Sequence, residues 1–278
     1  MIYDYTGEDP SILDPALLRA LIRERAHHTI EIQLYDALAK GKPTAADIGS
    51  RVRELLSIWN ERGFPTDGAD LAWVNTMLEM AEQSKRGETV DLSPFAATPL
   101  REGERDVIRR AIRGRRSVRH WTDREVPDWM IDEILEAGLW APQACHLGSL
   151  RFLVVREANE PGLFKGADIP GGPVHIVACQ DRRVYGIQPG LVANPDRLET
   201  NRVLDCGAAM QNMLLAAYAL GLGAVWLTLR PAIKERLRER FLLPEHIEIV
   251  TYLDVGFPAQ TPMPPGRMSL AEVVLGRA

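Results

Sequence analysis

Five consecutive residues, Arg115-Arg116-Ser117-Val118-Arg119, place three guanidinium groups and a hydroxyl within a short run of chain. A guanidinium presents a planar fork of donors that matches phosphate oxygens, and serine adds a neutral donor and acceptor. The same run also fits a solvated charge cluster, since arginine after a helix C-terminus is favoured by the helix dipole. Upstream, Val107, Ile108, Ala111 and Ile112 share one helical face. Gly114 is placed to end that helix in a left-handed conformation. Arg267 is a further candidate anion ligand, although on its own it reads as a surface residue of a Pro-rich tail.

Other reactive side chains are less suggestive. The segment Ala141-Pro142-Gln143-Ala144-Cys145-His146 breaks a helix and forms a loop that sets a thiol beside an imidazole. Sequence neighbours point apart and a buried cysteine is commonly inert, so a thiol nucleophile is disfavoured there. His27 and His28 would project about 100° apart on a helix and cannot chelate a metal together. His175 alternates with apolar residues in a strand-like run and reads as structural. No GxxxxGK[ST], strand-GxGxxG-helix, HExxH or GxSxG occurs. Gly221-Leu222-Gly223 is a helix stop and not a dinucleotide fingerprint.

The chain has 278 residues, 46% of them hydrophobic and 26% charged, which is an ordinary globular composition. A net charge of -5 argues against non-specific nucleic-acid binding, which needs a basic face. There is no secretory leader pattern and no run of ~18 apolar residues to span a bilayer. Three cysteines, Cys145, Cys179 and Cys206, form no CxxC and are expected to be reduced thiols. The expectation is a cytoplasmic protein with neither membrane nor nucleic acid as partner.

The elements that must carry these residues follow from periodicity. Asp14-Pro15 reads as an N-cap and first helical residue, with a long helix to about Lys40. Thr44-x-x-Asp47 resembles a capping box ahead of Ile48, Val52, Leu55, Leu56 and Trp59. Leu71, Val74, Leu78 and Ala81 mark a third helix that ends near Gly87. This predicts an N-terminal helical region over residues 1–95, with a linker at 88–103, followed by a second domain over 104–278. In that domain Met130, Ile131, Ile134, Leu135 and Gly138 form a helix stripe. Residues 150–155, 174–179, 224–229 and 247–255 read as strands, and 231–241 as a helix. Residues 170–173 read as a turn and 180–200 as a mobile lid. The most apolar helix opens at Asp205, runs to Leu220, and must be buried on most sides.

From about Arg105 onward the chain resembles the FMN-dependent nitroreductase superfamily. Four blocks carry the likeness in the family's order: Arg115–Arg119; Ala141–His146; Asp205–Gly223; and Gly256-Phe257-Pro258 with Arg267 downstream. The resemblance implies an α+β fold with a central mixed β-sheet flanked by helices. It also implies an intertwined homodimer with FMN at the subunit interface. Arg115, Arg116, Ser117 and Arg119 match positions that hold the FMN phosphate, ribityl chain and pyrimidine edge, and Arg267 matches a second phosphate ligand. Pro142, Gln143, Ala144 and His146 match a loop that reaches the flavin from the other subunit. Thr228 and Leu229 match the backbone beside flavin N5.

The activity implied is that of an FMN-dependent oxidoreductase. It would pass hydride from NAD(P)H to a small electron-poor substrate, such as a nitro compound, quinone or activated alkene, by a ping-pong mechanism. Flavin fragmentation, dehalogenation, azoline oxidation and non-catalytic flavin binding are the other readings the fold admits. The loop departs from the family pattern Pro-Ser-x-x-Asn-x-Gln-Pro-Trp. This chain has Pro142-Gln143-Ala144-Cys145-His146-Leu147-Gly148-Ser149-Leu150 instead, so the pocket there differs.

Overall fold

The computed structural model describes residues 2–169 and 171–277. Asp14 accepts from the Ala16 amide and Pro15 occupies the first turn, so α1 (Pro15–Ala26) starts where the sequence places it. It does not run straight to Lys40. A π-turn over His27–Glu31 separates it from α2 (Ile32–Ala39). Thr44 is not a cap: its hydroxyl donates to the Ala81 carbonyl at 3.1 Å. Helix α3 (Ser50–Glu61) begins instead after Gly49, whose φ of +76° suits glycine and whose absent side chain leaves room for Leu78. Ala81 lies on α4 (Ala69–Lys85).

These helices do not close on themselves. Leu18, Ile22, Val52, Leu55, Trp59, Leu71 and Val74 belong to one core with Leu147, Tyr185, Ile187, Leu191 and Leu198. The N-terminal region therefore shares a continuous apolar interior with the chain that follows the 88–103 linker. Polar ties reinforce the junction. Arg183 pairs with Asp14 at 3.5 Å, and the Tyr5 amide donates to the Gly186 carbonyl at 2.9 Å.

Helix α5 (Glu102–Gly114) carries the predicted apolar stripe, yet none of its residues is buried. Val107, Ile108 and Ile112 face outward. Gly114 is not left-handed. A side chain there would meet the Tyr218 hydroxyl at 2.3 Å, so the glycine serves a close helix approach. Helix α6 (Asp128–Leu139) buries Ile131, Ile134 and Gly138. At Gly138 a side chain would meet the Met213 sulfur at 2.9 Å.

Four strands form one sheet: β1 (Leu150–Arg156), β2 (Val174–Asp181), β3 (Gly223–Thr228) and β4 (Ile247–Gly256), in the order β1-β2-β4-β3. Every strand pair is antiparallel. The parallel component of the expected mixed sheet is confined to an isolated bridge between Ser117 and Ala224. Strand β2 is buried along its whole length, which suits its central position. The fold is α+β, with helices around this sheet and a helical region ahead of it. Of the turn expected at residues 170–173, Pro170 lies outside the described residues.

The 180–200 segment is not a lid. It folds as a 3-10 turn over Arg182–Ile187, then α7 (Pro189–Val192), and then the start of α8 (Pro195–Ala219). Its Pro, Asn and Arg content looks loop-like, but Val184, Tyr185, Ile187, Leu191 and Leu198 turn into the core. Asn194 caps α8, so the helix opens ten residues before Asp205. Helix α9 (Pro231–Arg240) precedes β4, and α10 (Leu270–Val273) lies in the tail.

The charged centre of the N-terminal region is Asp70. Arg19 binds both its oxygens, and Arg23 Nη1 adds a third contact at 2.6 Å. Burial alone would raise this carboxyl, but the two guanidinium groups hold it well below the usual carboxylate range. A depressed folded pKa gives stability that is present above the unfolded value of ~3.9 and is lost as pH falls below it. Asp70→Asn should therefore lower the melting temperature at pH 7, with the gap to wild type narrowing as pH drops from about 5 to 3. A gap that stays constant over that range would show that Asp70 does not act through its charge.

Candidate functional site

The arginine motif emerges from the end of α5 and crosses the start of β3. Ser117 bridges Ala224, and the Val118 amide donates to the Ala224 carbonyl at 3.2 Å. Gly223 is required at this crossing, because a side chain there would stand 2.7 Å from Val118. The close approach fixes where the guanidinium groups start. Arg115, Arg116 and Val118 line a cleft of about 250 Å3 together with Tyr218, Gly221 and Thr261.

Arg267 arrives from the tail beside this cluster. Burial, then the nearby charges of Arg267 and Arg116, push the Arg115 guanidinium below its ordinary value. Among the described residues, no acidic side chain pairs with Arg115, Arg116, Arg119 or Arg267. Arg116 donates only to main-chain oxygens of Arg113, Gly114 and Arg115, and Arg267 only to the Gly266 carbonyl. Arg119 is exposed, with one long contact to the Ser117 carbonyl at 3.4 Å. Converging like charges without a counter-charge raise each other's energy, and a bound anion relieves this.

From that crossing, β3 leads away from the cluster. Ala224 to Thr228 spans about 13 Å at the usual rise of a strand. Thr228 is exposed at the strand end, while Leu229 is buried beside Ile233 and Leu237. Arg115 and the Thr228 backbone thus stand toward opposite ends of β3. Trp226 stands between them, 42% exposed, with its indole nitrogen donating to Thr251 Oγ1 at 2.7 Å.

The Pro142–His146 loop is elsewhere. The Ala144 amide donates to Asp205 Oδ1 at 2.8 Å, and Tyr185 donates to Asp205 Oδ2 at 2.8 Å. Burial pushes the Asp205 carboxyl above its ordinary value, offset in part by these two donors. Ser149 and Gln180 complete the network around the Tyr185 hydroxyl. From Asp205 to Tyr218, α8 rises about 20 Å. One chain therefore holds the loop at the middle of α8 and the arginine cluster at its C-terminal end.

Residues 112–257 match the Nitroreductase family. A protein of Methanothermobacter thermautotrophicus named NADH dehydrogenase/NAD(P)H nitroreductase is 39% identical over 161 residues, 55% of this chain and 78% of that one. A protein of the same name from Archaeoglobus fulgidus is 37% identical over 52% of this chain and 81% of its own. A solved nitroreductase from Desulfovibrio desulfuricans, in complex with FMN, superposes with a TM-score of 0.51 at 35% identity. That match covers 62% of this chain and 96% of the other. The chain belongs to the nitroreductase family. It is an oxidoreductase by that membership, and the helices of residues 1–95 lie outside the family match.

Those helices supply what the nitroreductase pattern lacks around the altered loop. Cys145 and His146 both adopt left-handed backbone, with φ of 53° and 55°. Such conformations persist in non-glycine residues only where the surroundings hold them. Here Arg23 reaches over from α1, donating Nη2 to the Leu147 carbonyl at 2.6 Å and Nε to the His146 carbonyl at 3.3 Å. Gly148 gives it passage, since a side chain there would stand 2.6 Å from Arg23 Nη2. Trp73 of α4 stacks on the His146 ring at 4.7 Å. Although His146 keeps an exposed edge, burial against this wall and then the Arg23 charge push its pKa below the ordinary value. Burial and then Glu24 push the Cys145 thiol up, which disfavours a nucleophilic thiolate.

Sequence reasoning missed Asp70, Arg23 and Trp73 on one side and Tyr185 and Asp205 on the other. The spacing of Arg19, Arg23 and His27, one turn apart on α1, is a signal that could have found the first group. The Tyr185–Asp205 bond carries no local signature. Three other histidines form structural pairs: His27 with Glu31 at 2.7 Å, His28 with Glu24 at 3.0 Å, and buried His175 with Asp254.

Proposed function

We propose that this chain is an FMN-dependent oxidoreductase that transfers hydride from NAD(P)H to a small electron-poor acceptor, such as a nitro compound, quinone or activated alkene. The observation that carries the reading is the cleft bordered by Arg115 and Arg116, whose guanidinium groups, like that of Arg267 in the tail, have no acidic partner among the described residues. A phosphate dianion suits such a cluster, and the adjoining cleft has the glycine-lined entry that a ribityl phosphate needs. The names of its relatives support the same reading, since one is an NAD(P)H nitroreductase and a solved neighbour contains FMN. Bound FMN would supply hydride acceptance and donation at N5.

The chain's own residues then have separate tasks. Arg115 and Arg267 would hold the FMN phosphate, and Ser117 would add a hydroxyl. Arg116 and Arg119 would bring positive charge beside the flavin. The Thr228–Leu229 backbone would border it. Pro142, Gln143, Ala144 and His146 would serve the site of a partner subunit, because their own chain holds them about 20 Å from its arginines. Exposed apolar surface supports a homodimer. Val107, Ile108 and Ile112 of α5, Val203 and Leu204 of α8, and Leu270, Val273 and Leu275 of the tail are all open in the single chain. Trp140 is 80% exposed beside the loop that this assembly would use. No helix is long and apolar enough to cross a membrane among the described residues.

Arg115→Ala and Arg267→Ala should each weaken FMN binding by about 2 kcal/mol, the scale of a charge-assisted hydrogen bond. Fluorescence titration of the apoprotein measures this, and unchanged affinity in both variants would remove the phosphate assignment. Light scattering on the FMN-loaded protein should report about twice the chain mass of 31.0 kDa. Full flavin occupancy in a 31.0 kDa particle would contradict the shared site. The sequence carries no second nucleotide-binding fingerprint, so nicotinamide and acceptor share one face. Initial-rate lines at several acceptor concentrations should run parallel, as ping-pong turnover demands. Convergent lines would mean that both substrates bind at once.

A further inference from the structure

We propose that the cleft between the N-terminal helices and the 139–151 segment is the acceptor site, and that it selects a small aromatic monoanion. The inference rests on the flavin reading above for the reaction, and on the cleft itself for the ligand class. The cleft has a volume of about 870 Å3, and its lining comes from both sides of the 88–103 linker. Largely buried Trp59 and half-buried Phe64 line it on the N-terminal side, with Arg19 and Arg62 over their rings, and Leu139 and Ala141 line it from the other segment. A planar ring suits such walls.

The polar lining is mostly self-satisfied, which isolates what a ligand would meet. Asp70 is consumed by Arg19 and Arg23. Glu31 is paired with His27. Arg23 spends its remaining donors on the His146 and Leu147 carbonyls. Arg151 is different. Its Nη1 bonds the Gly148 and Leu150 carbonyls, but among the described residues its only acidic neighbour is Asp181, 3.9 Å from Nη2. Both oxygens of Asp181 are already bound by Arg183. Arg151 thus offers a guanidinium edge with no counter-charge of its own, and a carboxylate fits it.

Gln143 supplies the second polar point. Its Oε1 is buried without a hydrogen-bond partner, although it lines the same cleft. Buried polar atoms are rarely left unpaired, so rotation of the half-buried Gln143 amide into the cleft, where a ring hydroxyl or amino group of a ligand donates to Oε1, would complete it. The aromatic walls, one free cation and one free acceptor together describe a substituted benzoate. The cleft also opens on the Pro142–His146 loop, which places a ring bound there beside the loop that covers the flavin in the proposed dimer.

Two measurements on the full-length protein test this. The first uses benzoate, which cannot be reduced, as a probe of tryptophan fluorescence in the resting protein. Benzoate should quench it saturably. Arg151→Gln should weaken that binding about tenfold, the scale of one lost charge-assisted hydrogen bond, and Arg151→Lys should recover most of it. The second compares 4-nitrobenzoate with nitrobenzene as acceptors under NADPH. Wild type should show a lower KM for the anion, and Arg151→Gln should erase that preference. Absent quenching, or quenching equal in wild type and Arg151→Gln, would overturn the proposal while leaving flavin reduction intact as support for the parent reading. A protein whose flavin no nicotinamide reduces would sink the parent reading, with benzoate quenching still deciding the cleft.

Discussion

Helix α8 runs for 25 residues beside the sheet, and its fixed rise keeps the arginine cluster and the Pro142–His146 loop about 20 Å apart. Two points on it are pinned. At its middle Asp205 binds the loop through the Ala144 amide, and near its C-terminus Tyr218 packs against Gly114 where the arginine motif begins. No bending within a packed helix can bring the two together. A site that uses both must therefore be assembled from two copies, and the apolar surface left open on α5, α8 and the tail is placed to allow this. On α8 itself, Gly207 and Ala208 are only partly covered between exposed Leu204 and Gln211, so a neighbouring helix could approach closely along that stripe.

The N-terminal helices change what surrounds the loop without touching the arginine cluster. Their hold is part apolar and part ionic. The apolar part is a shared core in which Leu147 and Tyr185 contact the bundle residues. The ionic part is the Arg19–Asp70–Arg23 group, whose second arginine also binds loop carbonyls. Half-buried ion pairs contribute less to net stability than their geometry suggests, because desolvation opposes the attraction. They do fix direction. A guanidinium with each of its three nitrogens engaged holds the Leu147 and His146 carbonyls in place, and Trp73 stacks on the imidazole face. Left-handed backbone at Cys145 and His146 is held by this scaffolding.

Much of the secondary structure was legible in the residues. Asp14-Pro15 marked a true helix start, and the four apolar runs became the four strands within a residue or two at most ends. The misreadings share one cause: local patterns were interpreted without knowing what they would touch. Thr44 looked like a cap but is claimed by a carbonyl 37 positions away. Gly114 looked like a left-handed stop but is needed for contact with Tyr218. Residues 180–200 read as a lid because their polar composition hid five apolar residues that face the core.

The sequence by itself determined the chemistry available: the Arg115–Arg119 motif, Arg267, the loop at 142–146, and the order of helices and strands that carries them. Residue type sets which donors exist, and hydrophobic period sets which element bears them, so both can be read along the chain. Only the tertiary structure decided which of these groups meet. It set the Arg267 charge near Arg115, fixed the loop on Asp205 in the middle of α8, and set Arg23 and Trp73 against His146. Those meetings depend on packing between segments more than sixty residues apart, where volume and burial choose the partners and no local spacing records the choice.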